Sequence, residues 1–203
     1  MELNDCTFFN NDKVRAGYTA DCGGRFIISE PDAVDNYRAV SEALGYPVKK
    51  MIKLKQKHTD RVIKVDAPDG GLGILHDIEQ DPCDAVITDA EDLVLSIITA
   101  DCVPVFLYDE DHHAIGLAHS GRAGVYSEIS AKTVICMHKE YGTDPASVRC
   151  VLGPYICQEH YELDITDTDP LMDIFTGEEY DRCVIIKRTK AYLDMGAAIT
   201  ISL

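Results

Sequence analysis

Three side chains in this sequence are of types that could do chemistry together. They are His58 in Gln56-Lys57-His58-Thr59-Asp60-Arg61-Val62, Cys102 in Thr99-Ala100-Asp101-Cys102-Val103-Pro104, and His119 in Ala118-His119-Ser120-Gly121. A thiolate and two neutral imidazoles can hold a zinc ion while leaving its fourth position open. The same thiol can instead be a nucleophile, with a histidine beside it as base. The intervals of 44 and 17 residues match no compact metal signature, so either site has to be assembled in three dimensions. In a chain with eight cysteines, the plain alternative is that Cys102 is a buried small hydrophobe.

The elements around these residues favour chemistry. Leu93–Thr99 and Val103–Tyr108 are β-branched or aromatic runs of strand length, separated only by Ala100-Asp101-Cys102. Asp109–His112 reads as a polar turn, and Ala114–Ala118 as a third strand that ends at His119. Such continuous apolar runs predict strands buried on both faces. After His119 the spacing of Val125, Ile129, Thr133, Met137 and Tyr141 predicts one helix stopped by Gly142. Cys102 then sits at a strand junction and His119 at a strand-to-helix turn, the usual address of functional side chains.

With these motifs the chain resembles the YfiH-type family, the laccase-domain or polyphenol-oxidase-like proteins described as zinc-dependent purine nucleoside enzymes. The resemblance runs from about Val34 to Leu203. It rests on the block from Gln56 to Val65, on Asp84-Ala85-Val86-Ile87-Thr88-Asp89, on Thr99–Pro104, on Ala118–Gly121, and on Gly153–Glu162. It implies that His58, Cys102 and His119 are the zinc ligands of the active site. The implied activities are phosphorolysis of adenosine, inosine, guanosine and methylthioadenosine to base and sugar 1-phosphate, together with adenosine deamination. Purine nucleosides and phosphate are the implied small-molecule partners. Zinc suits this chemistry because it lowers the pKa of bound water to about 7. Copper is disfavoured, since one His-Cys-His group cannot supply the several centres that four-electron oxygen reduction normally uses. Asp101, beside Cys102, is a candidate for proton transfer or ligand orientation, or else fixes its own turn.

The sequence departs from the family pattern in three places. After His119 it reads Ser120-Gly121-Arg122-Ala123-Gly124, without the usual tryptophan and with Arg122 in its place. Arg122 is a candidate phosphate ligand, with a solvated surface arginine as the alternative. The N-terminal S-R-x-G-G segment appears only as Thr19-Ala20-Asp21-Cys22-Gly23-Gly24, without its arginine. The chain reaches Leu203 just after a helix-like stretch from Lys190 to Ile201, and the usual C-terminal motif is not in it. Gly153 and Pro154 are candidate substrate-binding positions, and Cys157 and His160 in the same block could line the pocket.

Composition sets the frame. The 203 residues, 46% hydrophobic, predict one domain spanning 1–203 with a substantial core. Strands grouped with flanking helices predict an α+β class. The family resemblance specifies a mixed β-sandwich flanked by helices. No apolar run approaches the ~18 residues that would span a bilayer, and no secretory signal is evident, so a reduced, cytosolic protein is expected. A net charge of −16 repels nucleic-acid phosphates, so neither nucleic acid nor membrane is an expected partner. A homo-oligomer could supply pocket residues from a neighbour. Alternation places Lys53, Lys55 and Lys57 on one solvated face, and 66–73 reads as a flexible loop able to cover the pocket. Three readings stay open: the zinc enzyme, a metal-free cysteine hydrolase or deamidase with Cys102 attacking and His119 as base, and a nucleoside-binding protein without turnover.

Overall fold

The structure, a computed structural model, describes residues 4–5, 13–19, 26–77 and 81–203. Its elements in chain order are β1 (Asn4–Asp5), β2 (Gly17–Tyr18), α1 (Ala33–Ala43), β3 (Met51–Lys53), β4 (Val62–Lys64), β5 (Ala85–Thr88), β6 (Val94–Ser96), β7 (Val103–Asp109) and β8 (Ala114–Ser120). They continue with α2 (Arg122–Tyr126), α3 (Ile129–Tyr141), β9 (Arg149–Leu152), β10 (Glu162–Asp164), α4 (Asp169–Met172), α5 (Gly177–Cys183), β11 (Val184–Lys187), β12 (Lys190–Leu193) and α6 (Met195–Ser202).

The largest sheet has the order β4-β5-β8-β7-β9, with β4 and β5 parallel and the remaining pairs antiparallel. Alternation along its strands feeds two different cores. Ala85, Ile87, Val103, Val105, Leu107, Ala114 and Ala118 point to one side, where Ile129, Val134 and Met137 of α3 and Ala198 and Ile199 of α6 cover them. Val86 and Leu117 point to the other side and pack with Ile52 of β3 and Leu95 of β6. The parallel pair β3–β6 thus lies over one face while helices cover the opposite one. A third sheet, β10-β12-β11, joins the helical side through Leu163, Ala191 and Leu193. This is the expected α+β arrangement: a mixed sheet, a second sheet layer and flanking helices.

Several local expectations are corrected. The segment after His119 is two helices, because Glu128 takes a left-handed conformation (φ 54°, ψ 41°) between α2 and α3. The four-residue apolar period survives the break, since Val125, Ile129, Thr133 and Met137 are all buried. The Lys190–Ile201 stretch starts as a strand: Ala191 and Leu193 are buried, Lys190 and Tyr192 are not, and β12 pairs on both sides. Only after Asp194, whose side chain caps Ala197 N at 2.9 Å, does α6 begin. Segment 66–73 is not a free cover. Asp66 and Asp69 form a capping box, and the segment bonds to β3 through Gly71 N to Met51 O and Lys53 N to Leu72 O, each 2.9 Å. Lys53 is half-buried rather than solvated, donates to Leu54 O at 3.0 Å, and has its ammonium pushed below the usual lysine range by burial. No helix among the described residues is long and apolar enough to cross a membrane.

Candidate metal centre

Strand register brings Cys102 and His119 together with Asp84, and loop hydrogen bonds bring His58 to them. Along β7–β8, Val103 faces Ser120 and Pro104 faces His119, so continuing the ladder by one pair sets Cys102 opposite Gly121. Period-two alternation then aims Cys102, Pro104, Leu117 and His119 at the same face. On the other side of β8, Ala85 pairs with Ala118, which places Asp84 beside His119. His58 arrives from the loop between β3 and β4, at a left-handed backbone position with φ 57°. That strained turn is held by Asp84. Its Oδ2 accepts from Lys57 N (3.1 Å), Thr59 N (2.6 Å) and Thr59 Oγ1 (2.9 Å). Gln56 ties the same loop to the segment leading into Cys102: its amide donates to Ile98 O and accepts from Ile98 N, both at 2.8 Å.

The donor atoms of His58, Cys102 and His119 lie within 4.8 Å of one another, and this is the group of three such residues among those described that could hold a metal ion. Cys102 Sγ stands 3.7 Å from His58 Nε2. The two imidazole rings meet edge to face with centroids 4.8 Å apart. Tetrahedral zinc with bonds of about 2.0–2.3 Å separates its S and N donors by about 3.5 Å, so the Cys102–His58 pair already suits such an ion and the widest separation in the set would have to close by about 1 Å. The tautomer fits as well. His119 Nδ1 is 2.8 Å from Asp84 Oδ1, which leaves Nε2 for a metal, the usual carboxylate–histidine–metal arrangement. Gly121 makes the space: a Cβ there would stand 2.6 Å from Cys102 Sγ and 3.1 Å from His58 Cδ2.

Electrostatics set the group's charge. Burial alone would raise the Asp84 carboxyl, but hydrogen bonds from His119, Thr59 and Lys57 outweigh it and hold the group well below the usual carboxylate range. Burial alone would lower the His119 imidazole, yet bonding to Asp84 and Cys102 raises it to about 9. His58 is exposed, Cys102 half-buried and His119 buried, so the group opens to solvent on one side only.

The other sequence candidates sit around this group with different partners. Asp101 is exposed, and its carbonyl accepts from Ile156 N at 3.1 Å, joining the Cys102 segment to the Gly153 block. Arg122 pairs with Asp167 at 3.0 Å. Gly153 is buried against Pro104 and Phe106, and Pro154 is exposed. Cys157 and His160 are exposed and outside the three-donor group. Residues 20–24 of the Thr19–Gly24 segment lie outside the described residues. Sequence reasoning missed Asp84, although it opens a quoted motif. A carboxylate before a fully apolar strand was the available signal, since a buried acid requires partners.

Comparison with known proteins agrees with the residues. Residues 18–203 match the family described as "Multi-copper polyphenol oxidoreductase laccase". A purine nucleoside phosphorylase of Clostridium acetobutylicum is 32% identical over 148 residues, covering 72% of this chain and 58% of that protein. Purine nucleoside phosphorylase YlmD of Bacillus subtilis is 28% identical over 180 residues, covering 81% and 63%. Among solved structures, the hypothetical protein YfiH of Bacillus licheniformis superposes with a TM-score of 0.78 at 28% identity, over 84% of this chain and 64% of that one. YlmD of Geobacillus stearothermophilus gives 0.78 at 25% identity with the same coverage. The chain spans 58–64% of the length of these four proteins. With its matched residues and its folded His-Cys-His group, the chain belongs to the YfiH-type, laccase-like family, whose members in Clostridium acetobutylicum and Bacillus subtilis are named purine nucleoside phosphorylases.

Proposed function

We propose that this chain is a zinc-dependent purine nucleoside phosphorylase. It would convert adenosine, inosine, guanosine or methylthioadenosine and phosphate to base and sugar 1-phosphate, with adenosine deamination as a second activity at the same centre. The observation that carries the reading is the Asp84-backed group of His58, Cys102 and His119 in a chain whose relatives are named phosphorylases. Zinc is favoured over copper because one group of three donors is found among the described residues, whereas oxygen reduction by copper uses several centres. When bound, zinc supplies a positive centre that polarises oxygen ligands and lowers the pKa of water.

The chain's own residues do the rest. Asp84 fixes the His119 tautomer and the His58 turn together. Asp101, exposed beside Cys102, would accept or return a proton at its carboxylate. Arg122 is the cation proposed for phosphate, in exchange for its surface pair with Asp167. Gly153 keeps the loop backbone close against Pro104 and Phe106, so that Pro154 can border the substrate.

One observation favours a second reading. Asp84, His119 and Cys102 also form the series carboxylate, imidazole and thiol that a metal-free cysteine hydrolase needs. Zinc content and phosphate-dependent adenine release, measured on wild type and Cys102→Ala, separate the two. About one zinc per chain, lost with Cys102 together with adenine release, supports the phosphorylase. Zinc without turnover removes the phosphorylase and leaves a metal-bearing binding protein. A zinc-free chain that alkylates selectively at Cys102 and loses a hydrolytic activity establishes the hydrolase.

A further inference from the structure

Cys157 and His160 belong to no part of the centre described above, yet they form a cluster of their own. Cys157 precedes the 3₁₀ turn Gln158–His160. In a 3₁₀ turn, residues three apart eclipse one another. That geometry sets Cys157 Sγ 2.9 Å from His160 Nδ1, with both residues exposed. The turn is held in place from both sides. His160 N and Tyr161 N donate to Cys157 O at 3.1 and 3.2 Å. The Gln158 amide donates to Cys183 O at 3.1 Å and Tyr192 O at 3.3 Å, and Leu193 N donates to Tyr161 O at 3.3 Å. The thiol and imidazole are therefore in contact without needing a ligand to order them.

Outside the metal centre, the other described thiols lack such a partner or such access. Cys83 and Cys183 are buried, Cys150 is exposed as a residue but its thiol is pushed up to about 11 by burial, and Cys136 is half-buried with its thiol pushed up by burial and by the Glu140 carboxylate. The His160 hydrogen bond lowers the Cys157 thiol, and the same contact raises the His160 imidazole, with Glu159 adding its charge. A thiolate beside an imidazolium at an open surface is the nucleophile of thiol–disulfide exchange.

We propose that Cys157 is a thiol–disulfide exchange site, at which the surface sulfur held by His160 takes up a small thiol from a low-molecular-weight disulfide. The Cys157 thiolate attacks one sulfur of the disulfide. That S–S bond breaks, its electron pair leaves with the second sulfur as a thiolate that takes a proton from solvent, and a new S–S bond forms to Cys157. Oxidation of Cys157 is balanced by reduction of half of the incoming disulfide. His160 keeps the proton that Cys157 gave up.

The test uses the full chain with oxidised glutathione at pH 7, following each cysteine by peptide mass mapping. Mixed disulfide should form at Cys157 about tenfold or more faster than at Cys136, and His160→Gln should reduce the Cys157 rate about tenfold. Raising the pH above about 8.5, the ordinary thiol value, should narrow the gap between His160→Gln and wild type. In wild type, iodoacetamide should label Cys157 with a pH midpoint below that value, an outcome that needs no variant. Equal rates at Cys157 and Cys136, a rate untouched by His160→Gln, or an ordinary midpoint would each overturn the proposal.

Discussion

Replacing Asp84 by Asn keeps the shape of the side chain and reverses one of its hydrogen-bonding faces. In the native group, Oδ1 faces His119 Nδ1 and Oδ2 faces three donors from Lys57 and Thr59. An amide has one accepting and one donating face. If its oxygen turns to Lys57 and Thr59, its NH2 meets His119 Nδ1 and forces the tautomer that carries a proton on Nε2, where a metal would bind. If its oxygen turns to His119, its NH2 faces three donors instead. Either orientation breaks part of the group. Loss of such an outer partner costs about 10–100-fold in metal affinity, or about 1.4–2.8 kcal/mol. The metal-free fold should also lose about 1–3 kcal/mol for the unmatched buried donors. Zinc competition with a chromogenic chelator reads the first quantity, and urea unfolding in excess chelator reads the second. Thr59→Val, which removes one bond to Oδ2 and leaves His119 untouched, serves as the control and should lose stability with little change in affinity. Zinc affinity of Asp84→Asn within twofold of wild type would refute the assignment of Asp84 to the centre.

Four further outcomes follow from the geometry. Gly121→Ala should weaken zinc binding at least tenfold and cost about 1–3 kcal/mol in unfolding experiments, because its Cβ would stand 2.6 Å from Cys102 Sγ. In metal-free protein, His119 is raised to about 9, so its stabilisation is complete below about 6.5 and is lost as pH rises through about 9. Asp84 is depressed, so its stabilisation is present above about 4 and is lost as pH falls below that. Chelator-treated protein should therefore be most stable between about pH 4 and 6.5 with respect to these two groups, by urea titration across pH. Because His119 must shed its proton to bind, zinc affinity should climb about tenfold or more per pH unit from 7 towards 9. Finally, Glu128→Gly relieves a left-handed position at the α2–α3 break and should stabilise by about 0.5 kcal/mol, the difference between a strain of ~1–2 and a glycine entropy cost of ~0.5–1. A destabilisation measured by urea unfolding would show that the break is not held at a backbone cost.

What the sequence determined by itself is local chemistry and local pattern. The residue types at 58, 102 and 119, the strand runs on either side of Asp109–His112, and the ordered motifs sufficed to pick out the three side chains that the fold brings together and to name the family. Those signals are legible because apolar alternation and helical spacing are properties of neighbouring residues. Spacing failed where two solutions share one period: Val125, Ile129 and Met137 stay buried whether or not Glu128 breaks the helix. It also failed at Lys190–Leu193, where pairing with β10 and β11 makes a strand of residues that read as helix. Tertiary structure alone decided how the donors meet: register aligns Cys102 and His119, and the 44-residue gap from His58 to Cys102 is closed by the bonds of its loop to Asp84 and Ile98. It decided that Asp84 serves both histidines at once, and that Gly121 is the space in which the sulfur sits. A carboxylate's partners and a glycine's empty volume are set by what packs against them, and that becomes fixed only when β5, β7 and β8 lie side by side.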